Sequence, residues 1–264
     1  HILFGRTGKA QHTTLYMQKY GLIGYPLSHS FSQGFFNEKF QSEGIEATYE
    51  NFEIPTIQDF QKIILANPEL NGLNVTIPYK EQVIEFLDEL DDTAKSIGAV
   101  NVIKFIRDKK KLKLKGYNSD VIGFSQSISA FLKPNHKKAL ILGTGGASKA
   151  VRYALERLGL EYTFVSRTAI KGQLFYNELT EDVMKEHTVI INTTPVGMYP
   201  KIELCPNIPY EYITDQHLLY DLLYNPNETK FMKLGQEKGA TVVNGLEMLL
   251  LQAFAAWNIW QQKL

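Results

Sequence analysis

The stretch that most restricts the fold runs from Lys138 to Arg157. Ala139-Leu140-Ile141-Leu142 is a short apolar run of strand type, Gly143-Thr144-Gly145-Gly146-Ala147 follows it at once, and a helical pattern continues to Arg157. Glycine allows a tight turn from strand to helix, and the first N–H groups of the helix then face an arriving anion. A Gly-x-Gly-Gly string alone is common in turns. With a strand before it and a helix after it, the string takes the form of a dinucleotide site, with Gly143, Gly145, Gly146 and Ala147 at the pyrophosphate. Further candidate strands at 162–165, 189–191, 218–222 and 241–243 continue a Rossmann-like series, which ends in a helix over 246–260.

The end of the next strand bears on which dinucleotide fits. A site for NAD usually carries Asp or Glu there, ~20 residues on, for the ribose 2′-hydroxyl. This chain has Ser166-Arg167-Thr168, with Lys171 close behind and no carboxylate. Elsewhere such an arginine would be read as solvated surface. Here its planar fork suits a 2′-phosphate, and the reading is NADP(H).

The first half also alternates strand and helix, with strands at 20–24, 47–54 and 73–77, and a hairpin of 100–106 with 112–116. Phe31, Phe35, Phe36 and Phe40 recur at helical spacing, a helix after Pro55 carries Ile57, Phe60, Ile63 and Ile64, and a helix is expected over 80–90 with Val83, Ile84, Phe86 and Leu87 inward. The fold class is therefore α/β, in two parts: an alternating N-terminal part and, from Lys138, a Rossmann-like part that the NADP reading makes a nucleotide-binding domain. The 28 basic and 28 acidic residues cancel, so no global field draws the chain to nucleic acid or to an anionic membrane. No apolar run approaches the ~18 residues of a membrane span. A single cysteine, Cys205, allows no intrachain disulfide and agrees with a cytoplasmic setting. The histidines show no metal-ligand spacing, and no metal is expected. Residues 1–16 are rich in Gly, Thr, Gln and His without helix or strand period, and Met17 precedes the first strand. They read as a leader that is not native.

Several short segments are polar where a fold needs no polarity. Ser28-His29-Ser30-Phe31-Ser32 places three hydroxyls at a loop-to-helix junction, of which helix capping explains one. Asn74-Val75-Thr76-Ile77-Pro78-Tyr79-Lys80 ends a strand with Asn74 and Thr76 on one face, and Val75 and Ile77 on the other. Gly98-Ala99-Val100-Asn101 and Tyr117-Asn118-Ser119-Asp120 add polar groups at element ends. Each alone is turn chemistry. Together, a Lys, an Asp, two Asn and several hydroxyls suit a polyhydroxylated acid.

In order and spacing, from Met17 onward, these segments resemble the shikimate dehydrogenase family. The resemblance extends to Asn192-Thr193-Thr194-Pro195-Val196-Gly197-Met198, to Tyr220-Asp221-Leu222-Leu223-Tyr224 and to the closing segment 245–252. It implies NADPH-dependent reduction of 3-dehydroshikimate to shikimate, with Lys80 and Asp120 as catalytic residues. Ser30, Ser32, Asn74, Thr76, Asn101, Tyr224 and Gln252 would hold substrate. Ser166, Arg167, Thr168, Lys171, Thr193 and Gly245 would join the glycine turn at the cofactor. The substrate domain would be 17–118 with 246–264 and the nucleotide domain 119–245, the final helix crossing back so that Gln252 reaches the substrate. Gln33 stands where the family usually has proline, Val121 where it has glycine, Ser119 where it has threonine, and Ser166 where it has asparagine. None of these removes a reacting group. The rival readings are a quinate/shikimate dehydrogenase, a methylenetetrahydrofolate-type dehydrogenase and a non-catalytic metabolite sensor. Monomer and homodimer both stay open.

In the implied reaction, hydride addition to a ketone builds negative charge on oxygen, and a positioned acid must deliver a proton there. Lys80 suits that task because an ammonium also stabilises the developing alkoxide. Asp120 would orient Lys80 and bind a substrate hydroxyl.

Overall fold

Two six-stranded sheets divide the chain in the computed structural model, which describes residues 17–28, 30–168 and 171–262. The leader reading of residues 1–16, and His29 of the serine motif, lie outside the described residues.

The first sheet takes up β1 (Gln18–Gly24), β2 (Ala47–Glu53), β3 (Leu70–Val75), β4 (Glu89–Leu90), β5 (Val102–Asp108) and β6 (Lys111–Tyr117), in the order β2-β1-β3-β5-β6-β4. β1 is parallel to β2 and β3, whereas β5 runs antiparallel to β3 and to β6. The helices α1 (Phe31–Ser42), α2 (Phe60–Ala66) and α3 (Asp92–Ile97) connect them. α3 is capped by Asp91, which accepts from the Ala94 N–H, and ends on Gly98 with φ of 77°.

α4 (Asp120–Ser129) leads into the second sheet: β7 (Lys138–Leu142), β8 (Glu161–Ser166), β9 (Leu174–Phe175), β10 (Val189–Asn192), β11 (Leu218–Asp221) and β12 (Thr241–Val243). It is parallel throughout, in the order β12-β11-β10-β7-β8-β9, with α5 (Gly146–Arg157), α6 (Glu181–Glu186) and α7 (Lys230–Glu237) between strands. The chain reverses direction across the sheet between β7 and β10. Ligands of open parallel sheets bind at such a switch point, outside the carboxyl ends of the strands.

α8 (Leu246–Gln261) follows the last strand of the second sheet yet packs on both sheets. Met248 joins the core built from α4, α5 and β7, while Ala253, Ala256, Ile259 and Trp260 pack with Tyr20, Leu22, Phe36 and Phe40 of the first half. The Trp260 indole donates to the Ile103 carbonyl at 3.1 Å and lies over Gly72, where any Cβ would collide with it. α4 and α8 cross closely at Gly123, whose added Cβ would stand 2.5 Å from the Met248 carbonyl oxygen. The expected return of the final helix to the first sheet is observed.

Two local expectations are corrected. The segment 80–90 is not one helix: a single 3-10 stretch covers Gln82–Phe86, and Glu89–Leu90 is strand β4. Helical spacing is present, but the edge of the sheet captures the residues that follow. Asp88 exchanges bonds with Leu114 at 2.9 and 2.7 Å, and β4 pairs in parallel with β6. Lys80 therefore sits in a turn ahead of that stretch. The strand expected over 73–77 ends at Val75, so Ile77 lies beyond it and is 59% exposed instead of facing a core.

Candidate active site

Asp120 is the first residue of α4, where the positive end of the helix dipole favours a carboxylate. Lys80 is held by its turn: its carbonyl accepts from the Val100 N–H at 2.8 Å, and the preceding Tyr79 is buried with its hydroxyl on the Ile54 carbonyl at 2.5 Å. The Lys80 ammonium donates to Asp120 Oδ2 at 2.7 Å, with side-chain exposures of 14% and 9%. The pair is thus largely desolvated and fixed from two separate elements. On its other side stands the glycine turn. A Cβ built on Gly146 would come within 2.8 Å of the Lys80 Cβ, so glycine there lets the first turn of α5 reach the lysine.

A buried chain of polar contacts extends from this pair. Ser119, next to Asp120 and fully buried, donates its N–H to Asn101 Oδ1 at 2.7 Å, and its hydroxyl accepts from Asn101 Nδ2 at 2.9 Å. The same hydroxyl reaches Gln252 Oε1 at 3.4 Å, and Gln252 Nε2 donates to the Leu249 carbonyl at 2.9 Å. Asn74 donates to the Asn101 carbonyl at 3.3 Å and accepts from the Tyr49 hydroxyl at 2.8 Å. Thr76 presses its methyl on Gly24, and its N–H donates to the Ile23 carbonyl at 3.0 Å. Ser30 starts α1 without a capping bond, and its buried hydroxyl has no partner among the described residues. A buried hydroxyl without a partner costs free energy, and a ligand oxygen at Ser30 would remove that cost. Phe31, between Ser30 and Ser32, meets the ring of Tyr224 at 6.0 Å, a contact between α1 and the loop after β11.

The candidate cofactor residues gather at the carboxyl ends of β7, β8 and β10. Gly143 has φ of 103°, and a Cβ there would stand 2.8 Å from Thr193 Oγ1, which itself donates to the Leu142 carbonyl at 2.6 Å. Gly145 caps α5 without a side chain and has open space around it. The N–H groups of Gly146 and Ala147 open the helix without an intrahelical acceptor, whereas that of Ser148 donates to the Gly145 carbonyl at 3.1 Å. Arg167, Thr168 and Lys171 are exposed, and among the described residues Arg167 makes no ion pair. Ser166 differs: its buried hydroxyl donates to the Thr168 carbonyl at 2.7 Å and shapes the turn. Gly245 lies apart from the glycine turn, with its N–H on the Leu223 carbonyl at 2.9 Å and no room for a Cβ beside the Leu222 carbonyl. A glycine-backed helix start and an unpaired arginine on the neighbouring strand fit a phosphorylated dinucleotide.

Sequence reasoning missed Tyr49 and the contact role of Phe31. Phe31 reads only as one of the apolar residues at helical spacing and Tyr49 only as part of the strand 47–54, and the alternation along β2, which sets Tyr49 on the α1 face, is the signal that could have pointed to it. Among the described residues no group of His, Cys, Asp and Glu could hold a metal, and no helix is long and apolar enough to cross a membrane.

The family model for the shikimate dehydrogenase substrate binding domain matches residues 22–103. The NADP-dependent shikimate dehydrogenase of Aquifex aeolicus is 41% identical over 253 residues, covering 92% of this chain and 91% of that protein. The Clostridium beijerinckii enzyme of the same name is 39% identical over 261 residues, covering 93% of each. The crystal structure from Aquifex aeolicus superposes with a TM-score of 0.81 at 38% identity, over 93% of this chain and 92% of that one. A shikimate 5-dehydrogenase from Thermus thermophilus, solved with NADP(H) and shikimate, gives 0.81 at 29% identity over 94% and 95%. With its paired lysine and aspartate, its glycine-backed helix and relatives of this identity along nearly its whole length, the chain belongs to the shikimate dehydrogenase family.

Proposed function

We propose that the protein reduces 3-dehydroshikimate to shikimate with NADPH, reversibly, and that Lys80 and Asp120 carry the proton chemistry. The observation that carries this reading is the 2.7 Å contact of Lys80 with Asp120 against the first turn of α5. NADPH, when bound, supplies the hydride to the carbonyl carbon. As charge grows on the carbonyl oxygen, Lys80 holds a proton for it, and the ammonium stabilises that charge in a largely dry site. Asp120 aims the ammonium and accepts from a substrate hydroxyl. In the oxidative direction Lys80 takes the hydroxyl proton. Ser30, Ser32, Asn74, Thr76, Asn101, Tyr224 and Gln252 hold the acid. Gly143, Gly145, Gly146, Ala147 and Thr193 seat the dinucleotide, Arg167, Thr168 and Lys171 meet its 2′-phosphate, and Ser166 and Gly245 shape the adjoining turns. On this reading residues 17–118 with 246–264 form the substrate domain and 119–245 the nucleotide domain. The enzyme works in the cytoplasm on a small molecule, without nucleic acid or membrane, as a monomer or homodimer.

The test is a four-way assay, shikimate or quinate with NADP or NAD, read by the absorbance of reduced nicotinamide. Shikimate with NADP is expected to lead. A charged hydrogen bond contributes roughly 1.5–3 kcal/mol, so Arg167→Ala is expected to cost about ten- to a hundredfold in kcat/KM for NADP and little for NAD. Equal use of NAD and NADP by the wild type would contradict the cofactor assignment, and faster turnover of quinate the substrate assignment.

A further inference from the structure

Tyr49 sits on β2, outside every motif, 1% exposed, with its ring stacked on Phe36 at 4.9 Å and 12°. Its backbone is clamped to α1 twice: the Tyr49 N–H donates to Asn37 Oδ1 at 3.0 Å, and Asn37 Nδ2 donates to the Tyr49 carbonyl at 3.0 Å. A tyrosine so deeply buried must find a partner for its hydroxyl. That partner is Asn74 Oδ1 at 2.8 Å. The phenol has one proton, and it goes to Asn74.

We infer that Tyr49 is a positioning residue of the substrate site, fixing the Asn74 amide so that its nitrogen stays on offer to a ligand oxygen. Asn74 has four hydrogen-bonding positions. Tyr49 occupies its oxygen and the Asn101 carbonyl takes one N–H, which leaves the second N–H as the donor that remains. Without the phenol hydroxyl, Oδ1 would be buried against a ring edge with no donor. An amide relieves that cost by rotating toward water, and the rotation carries the free N–H away from the ligand. Burial keeps the phenol protonated far above its ordinary range, so the donor persists at every working pH. Through one hydroxyl, β2 fixes a side chain that β3 contributes to the proposed substrate site.

The inference rests on the functional reading above, and wild-type activity tests that reading first. In the full-length protein, Tyr49→Phe keeps the ring stacking and removes only the hydroxyl. It is expected to raise KM for shikimate about three- to tenfold, the usual value of one neutral hydrogen bond, with kcat within about twofold and KM for NADP unchanged. In an Asn74→Ala background the same substitution is expected to add nothing to KM, because its effect passes through Asn74. Asn37→Ala loosens the clamp from the exposed face of α1. It is expected to give a smaller KM rise of the same kind, and it carries the test should Tyr49→Phe not fold. A merely structural tyrosine would lower the melting temperature and disturb both substrates together. If the wild type turns over shikimate and the variants leave its KM unchanged, or raise KM for NADP in parallel, the inference is overturned. If the wild type does not act on shikimate at all, the functional reading fails and takes the inference with it.

Discussion

At the scale of single residues, the site depends on side chains whose settings are stricter than their chemistry. Lys80 and Asp120 are ordinary surface types held at 2.7 Å with little water around them. Lys80→Ala is expected to lower kcat by about 10²–10⁴, the usual loss for a missing acid–base group, with much less change in shikimate binding. Asp120→Asn should slow turnover too, with a larger share of its loss in KM. Stopped-flow and steady-state rates check both, and near-normal turnover without the lysine would remove it from the mechanism. Asp221 offers a separate reading in pH. Burial pushes its carboxyl up from 3.8 to about 6, against the pull of bonds from Thr229, the Leu223 N–H and Asn192. Between those values the folded state holds a proton that the unfolded chain has lost. Asp221 therefore makes stability fall as pH rises from about 4 to about 6, by up to about 3 kcal/mol, and adds no slope above that. Asp221→Asn is expected to flatten this segment of the profile. Urea unfolding across the window measures it, and parallel curves for wild type and variant would refute the assignment.

Among elements, the second sheet was legible and the approach to Lys80 was not. Runs such as Ala139 to Leu142 are apolar on both faces, as buried parallel strands must be, and glycine marks where the helix begins. The segment after Lys80 misled because Val83, Ile84, Phe86 and Leu87 satisfy a helix as well as a short turn beside a sheet edge. Only β6, distant in sequence, decides between them. The serine, asparagine and glutamine positions of the proposed site are expectations from motif order. Their mutual bonds could not be read there, since Asn101 meets Ser119 through the pairing of β5 with β6, and Gln252 joins them only when α4 and α8 cross. That crossing is testable. Gly123→Ala puts a methyl where the Met248 carbonyl already stands, and should cost about 1–3 kcal/mol, the usual penalty for overpacking. Because Asp120 and Gln252 ride on the two helices, shikimate KM is expected to rise with it. Calorimetry and kinetics together check this, and unchanged values in both would mean that the helices separate freely.

On the scale of the whole molecule, the two sheets are joined in two ways. α4 and α8 are packed into both halves, and α5 adds a second junction: Gly146 stands against Lys80, the buried face of the helix shares a core with Ile97 and Ala99, and at its rim Lys149 meets Glu81 at 2.7 Å and Arg152 the Ser96 and Ile97 carbonyls at 3.2 and 3.4 Å. The return of α8 also sets an order of events for a newly made chain. Domains usually fold as they leave the ribosome, first-made first. Here the ribosome releases every strand of the first sheet before the second is begun, but Tyr20, Phe36 and Phe40 wait for Trp260 and its helix to cover them. The half translated earliest is the one completed last, and until then its aromatic face is the surface that a chaperone would find.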